Sequence, residues 1–461
     1  MRREIKAGAL LLAASFLLVL FCSQCSPLYP VNIWDDANCL LTVGRLMKSG
    51  RVLYREIYEQ KGPTLYLWHA LAAVISDRSF LGVFLLETVH FWGFLLGIYG
   101  LMKRRLRAEG AFLGAVLLGA AAVSCGAFLR GDSAEEFCLP MTALLLFLME
   151  GDPGQVRGRR LFAMGLLAGL VATVKYTLLG VFLGACLWLA PVLVREKRMK
   201  EVLWFAMGMG LPIAAWCLYF AAHGALADFY TAYLYNNIAR YAGQGRMTPG
   251  ELASVIKANL TWIVPLVLGV ILDRDRRFIL PLAVQTLVLL LAGRMWPYSP
   301  LILVPFGCYG LRALLERLGR DKVTKWKALA LAAAACAAAA VWTPNAFLRF
   351  VPLSETAQGR LAERMGEGAL LQYSHLDDGL YLVSGKLPQE RYFVRLNVED
   401  PEMTASLDRQ VRERQPRYVL MTWRPLPDTF SGYRLIAYDT GYDDAGRLNK
   451  DFYLYEREDV P

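Results

Sequence analysis

The feature that most constrains this chain is a series of long apolar runs, among them 7–23, 111–129, 161–174, 178–194 and 328–342. About 20 apolar residues in a helix cross a hydrocarbon core of roughly 30 Å. Inside that core only a helix or a closed barrel satisfies its own backbone groups. Of the 461 residues 56% are hydrophobic and 20% charged. This predicts an all-α polytopic membrane bundle, and it excludes a soluble enzyme, a secreted disulfide scaffold and a disordered chain. Spans are expected at about 7–23, 80–102, 111–129, 135–149, 161–174, 178–194, 201–221, 261–272, 278–292, 299–315 and 328–343. The first resembles a signal peptide, but no small-residue cleavage site ends it, so it reads as an anchor.

The formal net charge is +10. In a soluble protein that would suggest nucleic acid; here its distribution matters more. Basic clusters recur after every second span: Arg2, Arg3 and Lys6; Lys103 to Arg107; Arg157 to Arg160; Arg195 to Lys200; Arg274 to Arg277; and Arg312 to Lys327. These six segments, the fifth taken as 273–277, hold 23 Lys/Arg against 6 Asp/Glu, and the remainder of the chain is net acidic. Short basic loops stay cytoplasmic. The expected topology is a multi-pass cell-membrane protein with a cytoplasmic N-terminus and an extracytoplasmic C-terminal domain, and no nucleic-acid partner.

Two domains are expected: a transmembrane domain over 1–344, carrying an outer loop at 24–79, and a soluble α/β domain over 345–461. The last 117 residues have 15 Lys/Arg, 19 Asp/Glu and no Cys. Runs at 379–383, 392–396, 417–422 and 451–455 read as strands, and 402–414 as a helix. Two further outer segments are 130–136 and about 222–260. The nine cysteines lie mostly in spans; Cys22, Cys25 and Cys39 leave a disulfide open, and with few His a zinc site is not supported. Asn259-Leu260-Thr261 is a sequon abutting a span. There is no P-loop, dinucleotide fingerprint, HExxH or internal repeat.

The chemistry concentrates in the first outer loop. Asp35 and Asp36 follow the first span closely, and a carboxylate can take the proton of an attacking hydroxyl or amine. The plainer reading is an Asp opening a helix as its cap, since Leu40, Val43, Gly44 and Met47 recur at helical spacing. A turn at Ser49-Gly50 and then Tyr54 follow. Glu59-Gln60-Lys61-Gly62-Pro63 precedes another apolar helix. Pro63 suits its first position, which sets Lys61 beside free N–H groups, a pattern fit for phosphate.

This order of span, acidic pair, amphipathic helix, Gly-x-x-x-Tyr turn (Gly50 to Tyr54) and Lys-Gly-Pro resembles the GT-C superfamily of membrane glycosyltransferases. The branch it resembles most contains aminoarabinose transferases and protein mannosyltransferases. The resemblance implies a sugar moved from a polyprenyl-phosphate carrier to a lipid, glycan or protein acceptor at the outer face. It makes Asp35 the catalytic acid of the pair, with Asp36 where the family often has Glu.

Other positions follow from the same resemblance. The family tends to an acid where Glu135 and Glu136 stand, although acids also suit a helix N-terminus. It often carries a Lys at the position of Lys175, which could equally be snorkelling. Arg294 fits carrier phosphate, while Tyr298 keeps an aromatic in a stretch where the family's His is absent. Tyr54, Tyr298 and Asn236 are candidate sugar or acceptor contacts. Tyr230, Tyr233, Tyr235, Asn237, Arg240 and Tyr241 surround Asn236 in a segment that also reads as an interfacial helix. Glu87 and His90, one turn apart mid-span, read as structural.

The implied mechanism is inverting transfer with Asp35 as base and Lys61, Lys175 and Arg294 clamping the departing phosphate. A divalent metal bridging Asp35, Glu135 or Glu136 and the phosphate stays open. The rival readings are an oligosaccharide ligase or polymerase, a transporter or lipid flippase, and a non-catalytic scaffold.

Overall fold

The computed structural model describes all residues except 1, 242–246, 274, 293–295, 320–321, 399 and 460–461. The described residues are predominantly helical and form one small sheet, and the chain divides into two compact units. The first comprises residues 1–23, 86–218 and 243–346; the second comprises 24–85, 219–242 and 347–461. The second unit therefore groups the first outer loop and part of the third with the tail.

Each apolar run expected to span is helical over most of its length. Among the described residues five helices are long and apolar enough to cross a membrane: Glu4–Cys22, Leu81–Lys103, Tyr176–Arg195, Met199–Ala222 and Lys325–Trp342. Pro249–Ala258 and Leu260–Leu272 together pass the same test but meet at 90°. Asn259 sits at this bend, buried, its side chain accepting from the Ala127 N–H (3.1 Å) and Trp262 Nε1 (3.0 Å). The sequon is thus a structural corner rather than an exposed acceptor. All nine cysteines are free thiols, so Cys22, Cys25 and Cys39 form no disulfide.

Within the first unit, helices approach closely through small residues, as in lipid, where water drives no association. A methyl added at Gly165 would meet the Phe205 carbonyl oxygen, and one at Gly208 the Phe162 carbonyl oxygen, so Gly158–Ala172 and Val202–Ala222 are in backbone contact. Gly310 likewise lies against the carbonyl oxygen of Pro265. At another end of the unit Arg312 is fully buried and ion-paired with Asp273 (2.9 Å), Glu150 (3.2 Å) and Asp275 (3.7 Å). One guanidinium thus joins three separate segments.

The second unit is built on helix Asp35–Lys48, which packs on Pro63–Ile75 so tightly that Gly44 touches the His69 backbone. Its other face carries Asn38, Cys39, Thr42 and Arg45 onto the 377–385 segment. Thr42 Oγ1 donates to Asp377 (2.6 Å), the Asp377 N–H to Cys39 Sγ (3.2 Å), and Arg45 to the Tyr381 carbonyl (3.1 Å). Gly379, at φ +86°, lies close enough to Asn38 to leave no room for a side chain.

The sheet has β1 (Leu370–Gln372), β2 (Tyr418–Thr422), β3 (Tyr433–Tyr442) and β4 (Leu448–Arg457) in the order β1-β2-β4-β3, with β1 and β2 parallel and the other pairs antiparallel. Helix Pro401–Arg412, capped by Asp400, buries Met403, Leu407 and Val411 at i, i+4 and i+8. Two expected strands differ. Residues 380–383 form a helical turn, because four apolar residues carry too little periodicity to separate the two states. Residues 392–396 form no regular element: Phe393, Val394 and Leu396 are buried, but the segment has no strand partner.

Candidate active site

In the second unit the acid pair opens its helix without capping it. Trp34 occupies the cap position, and Asp35 and Asp36 fall in the first turn, where the helix dipole favours negative charge. The two carboxylates have separate lysine partners. Asp36 Oδ1 accepts from Lys61 Nζ at 2.7 Å, with both side chains about 15% exposed (14% and 15%). Asp35, 3% exposed, accepts from Lys450 Nζ of β4 through both oxygens, at 2.8 and 3.0 Å.

Lys450 is itself buried and also pairs with Asp378, so one ammonium bridges two buried carboxylates. Burial drives the Asp35 carboxyl from its ordinary 3.8 up to about 7, opposed by Lys450 and reinforced by Asp444. Asp378 rises to about 6 for the same reasons, with Asp35 adding to the effect. Burial likewise lifts Asp444 to about 6. Burial alone would pull the Lys450 ammonium down, but Asp35, Asp378 and Asp444 outweigh it and hold the group above its ordinary range. His375, half-buried beside them, is pushed below its ordinary value by partial burial.

Pro63 takes the first helical position with Gly62 as cap, which sets Lys61 just before the helix N-terminus. Its loop is fixed from several sides. The Tyr54 hydroxyl donates to the Lys61 carbonyl (2.6 Å), and the fully buried Glu59 accepts from the N–H groups of Gln60 (2.9 Å) and Lys61 (3.3 Å). Tyr54 is buried at φ +65° against Phe220 and Phe229. Tyr54 therefore holds the lysine loop rather than presenting its hydroxyl to a ligand. Asn236 is buried too, donating to the Tyr58 hydroxyl (2.7 Å), which in turn donates to Asp400 (2.7 Å). Burial, then Asp36 in addition, raises the Glu59 carboxyl, while Lys61 opposes them.

In the first unit Glu135 and Lys175 pair at 2.7 Å, with Glu135 buried and the lysine side chain 25% exposed. Lys175 Nζ also lies 4.8 Å from the centre of the Tyr298 ring, so three residues nominated from sequence meet there. Glu136 faces elsewhere: with Glu87 it accepts the Asp132 N–H (3.0 and 3.3 Å), while Ser23 donates to Glu87 (2.8 Å). This network fixes the turn in which Gly131 and Asp132 have φ of +86° and +68°. His90 bonds the Leu86 carbonyl instead of Glu87 (2.8 Å). Arg294 lies outside the described residues.

The carboxylates do not suit a resident divalent ion. Asp35, Asp36 and Glu135 are each neutralised by a lysine, and among the described residues no group of three His, Cys, Asp or Glu is placed to hold a metal.

No protein-family model and no curated protein matches the sequence. Among solved structures, the chain is similar to ArnT from Cupriavidus metallidurans bound to undecaprenyl phosphate, with a TM-score of 0.59 at 13% identity over 98% of this chain and 97% of that one. This chain has the GT-C fold. The apo form of the same ArnT gives a TM-score of 0.59 at 14% identity. The mycobacterial arabinofuranosyltransferase AftD gives 0.49 at 13%, over 100% of this chain and 40% of that one.

In this fold, sequence reasoning missed Lys450, Asp378, Asp444 and Glu59. A signal for Lys450 existed: along β4 it is in phase with Phe452, Leu454 and Glu456, the buried face of the strand. A lysine on an apolar face calls for a buried acid.

Proposed function

We propose that this chain is a membrane glycosyltransferase that moves a sugar from a polyprenyl-phosphate carrier to a lipid, glycan or protein acceptor at the outer face, inverting the anomeric centre. The acceptor hydroxyl or amine attacks the anomeric carbon as its proton passes to Asp35. The bond from that carbon to the phosphate oxygen breaks, and its electron pair leaves with polyprenyl phosphate. Phosphate is a competent leaving group, so the remaining need is charge stabilisation. Lys61, Lys175 and Arg294 are assigned to it, and no step is routed through a metal.

The observation that carries the reading is the GT-C fold over nearly the whole chain, since ArnT in that fold was captured with undecaprenyl phosphate. The site agrees with it. A carboxyl raised to about 7 is suited to accept a proton near neutral pH, because the best general base has a pKa close to the working pH. Lys450 is assigned as a positioning residue that orients Asp35. The distribution of basic segments supports a cytoplasmic N-terminus and an outer tail, which reporter fusions at either end would check.

The test is consumption of a polyprenyl-phosphate sugar by the purified protein. Asp35→Asn should lower turnover by roughly 10²–10⁴-fold, the usual worth of a general base, with the fold verified by its melting curve. Asp36→Asn, which leaves Asp35 and Lys450 in place, should lower it less. Turnover by Asp35→Asn at the parent rate would refute the base assignment. Donor transport without cleavage would favour the transporter reading.

A further inference from the structure

At the far end of helix Asp35–Lys48 the second unit contains a cavity of about 510 Å³ lined by Arg45, Lys48, Ser49, Asp77, Arg78 and the 382–387 segment. It is remote from the acid pair, since twelve residues of helix separate Asp36 from Lys48, or about 18 Å at 1.5 Å per residue. Nothing in the transfer reaction uses it.

Three features identify what it would take. The first is charge: Arg45, Lys48 and Arg78 face a single carboxylate, Asp77, which pairs with Lys48 at 2.7 Å. The second is an unused donor in a built position. Arg45 is only 5% exposed, and its outer nitrogens are spent on the carbonyls of Tyr381 (3.1 Å) and Gly385 (3.4 Å), yet its Nε finds no hydrogen-bond partner among the described residues. A buried guanidinium with a spare donor is costly unless something completes it. Phosphate matches guanidinium geometry.

The third feature is location. Helix Pro63–Ile75 leaves Leu67 (40%), Leu71 (50%), Val74 (67%) and Ile75 (50%) exposed along one stripe. In a membrane protein such a stripe lies against lipid, and it ends immediately before Asp77 and Arg78. Leu382, Val383 and Leu387 add apolar lining. A polar, cationic cavity at the end of a lipid-facing helix stands where headgroups are.

We propose that this cavity binds a phosphate-bearing anion, the headgroup of an anionic membrane lipid being the ligand its position favours. The proposal is independent of the glycosyl-transfer reading. The anion would lie between Arg45, Lys48 and Arg78, with Lys48 released from Asp77 to meet it.

The experiment measures calorimetric binding to the full-length protein in a neutral detergent. The probes are dioctanoyl phosphatidylglycerol, dioctanoyl phosphatidylcholine and inorganic phosphate. Saturable binding of the anionic lipid over the zwitterionic one is expected. Arg78→Glu and Lys48→Gln, both at exposed positions and clear of the acid pair, should each weaken it by about tenfold or more, as lost charge-assisted contacts do. Arg45→Lys keeps the charge and removes the fork, and should weaken it as well. Competition by inorganic phosphate at matching concentration would identify a free phosphate ester as the ligand of the same site, and its absence would identify the lipid. Equal binding of all probes to parent and variants, or no saturable binding of any anion, would overturn the proposal.

Discussion

Replacing Lys450 with Met should make the stability of this protein steeply dependent on pH. In the parent, Asp35 and Asp378 have pKa values of about 7 and about 6 against an ordinary 3.8. A carboxyl raised on folding stabilises the fold fully below its unfolded value, and that contribution is lost as pH climbs through the folded value. Above that value the cost is about 1.4 kcal/mol for each pH unit between the two values, which is about 4 kcal/mol for Asp35 and about 3 for Asp378. Without the ammonium both carboxyls move higher still. At pH 8 the variant must then hold them protonated, at up to about 6 kcal/mol each, or ionised with no counter-charge. The difference from the parent is about 4–5 kcal/mol at pH 8, in the range for breaking a buried ion pair. At pH 5 both carboxyls are protonated in both proteins, and the difference falls below about 1 kcal/mol. Trp423, whose ring centre lies 5.9 Å from Lys450 Nζ, is a local fluorescence reporter for denaturant titrations at the two pH values. The quadruple change Lys450→Met, Asp35→Asn, Asp378→Asn, Asp444→Asn should return most of the loss, because a neutral cluster needs no counter-ion. An equal loss at pH 5 and pH 8, or none at pH 8, would refute the reasoning.

Arg312→Met should cost about 3–5 kcal/mol by stranding the buried Asp273, while Glu150 and Asp275 keep Arg277, and Asp273→Asn in the same chain should recover part of it in a thermal melt. Gly310→Ala should destabilise the helix crossing by about 1–3 kcal/mol or more, since its methyl would collide with the Pro265 carbonyl and one backbone must retreat. Lys61→Met should lower the melting temperature more than the double change Lys61→Met, Asp36→Asn, because the single variant strands a mostly buried carboxylate.

Much of the fold was legible because the hydrocarbon core imposes a simple code. Each apolar run expected to cross is helical, and Pro63 and Asp400-Pro401 start helices where local chemistry puts them. The tail was less legible. β3 went unread because it lies at the sheet edge with Leu435 and Tyr438 exposed, so no alternation marks it. Asp36 and Lys61 stood out because the two partners are close in sequence. Lys450 did not, since a single lysine in a strand looks like an ordinary solvated residue until the fold shows which acid it faces. Tyr54 was legible as the end of its Gly-x-x-x-Tyr turn, and Asn236 as an amide among tyrosines in the third outer segment. Their burial, which turns them inward to support the loop, follows only from three-dimensional packing.

The two lysines that hold the acid pair also differ in when they become available. Lys61 follows Asp36 by 25 residues, whereas Lys450 follows Asp35 by 415. At about 5–20 residues per second of synthesis, Asp36 meets its partner within seconds. Asp35 waits on the order of 20–80 seconds. During that interval the first loop is on the ribosome-bound chain with one carboxylate lacking its counter-charge. A chain cut before residue 450 keeps every apolar helix but lacks the cation of this cluster. A chain lacking β4 would carry a solvated or protonated Asp35 in place of a buried, oriented one.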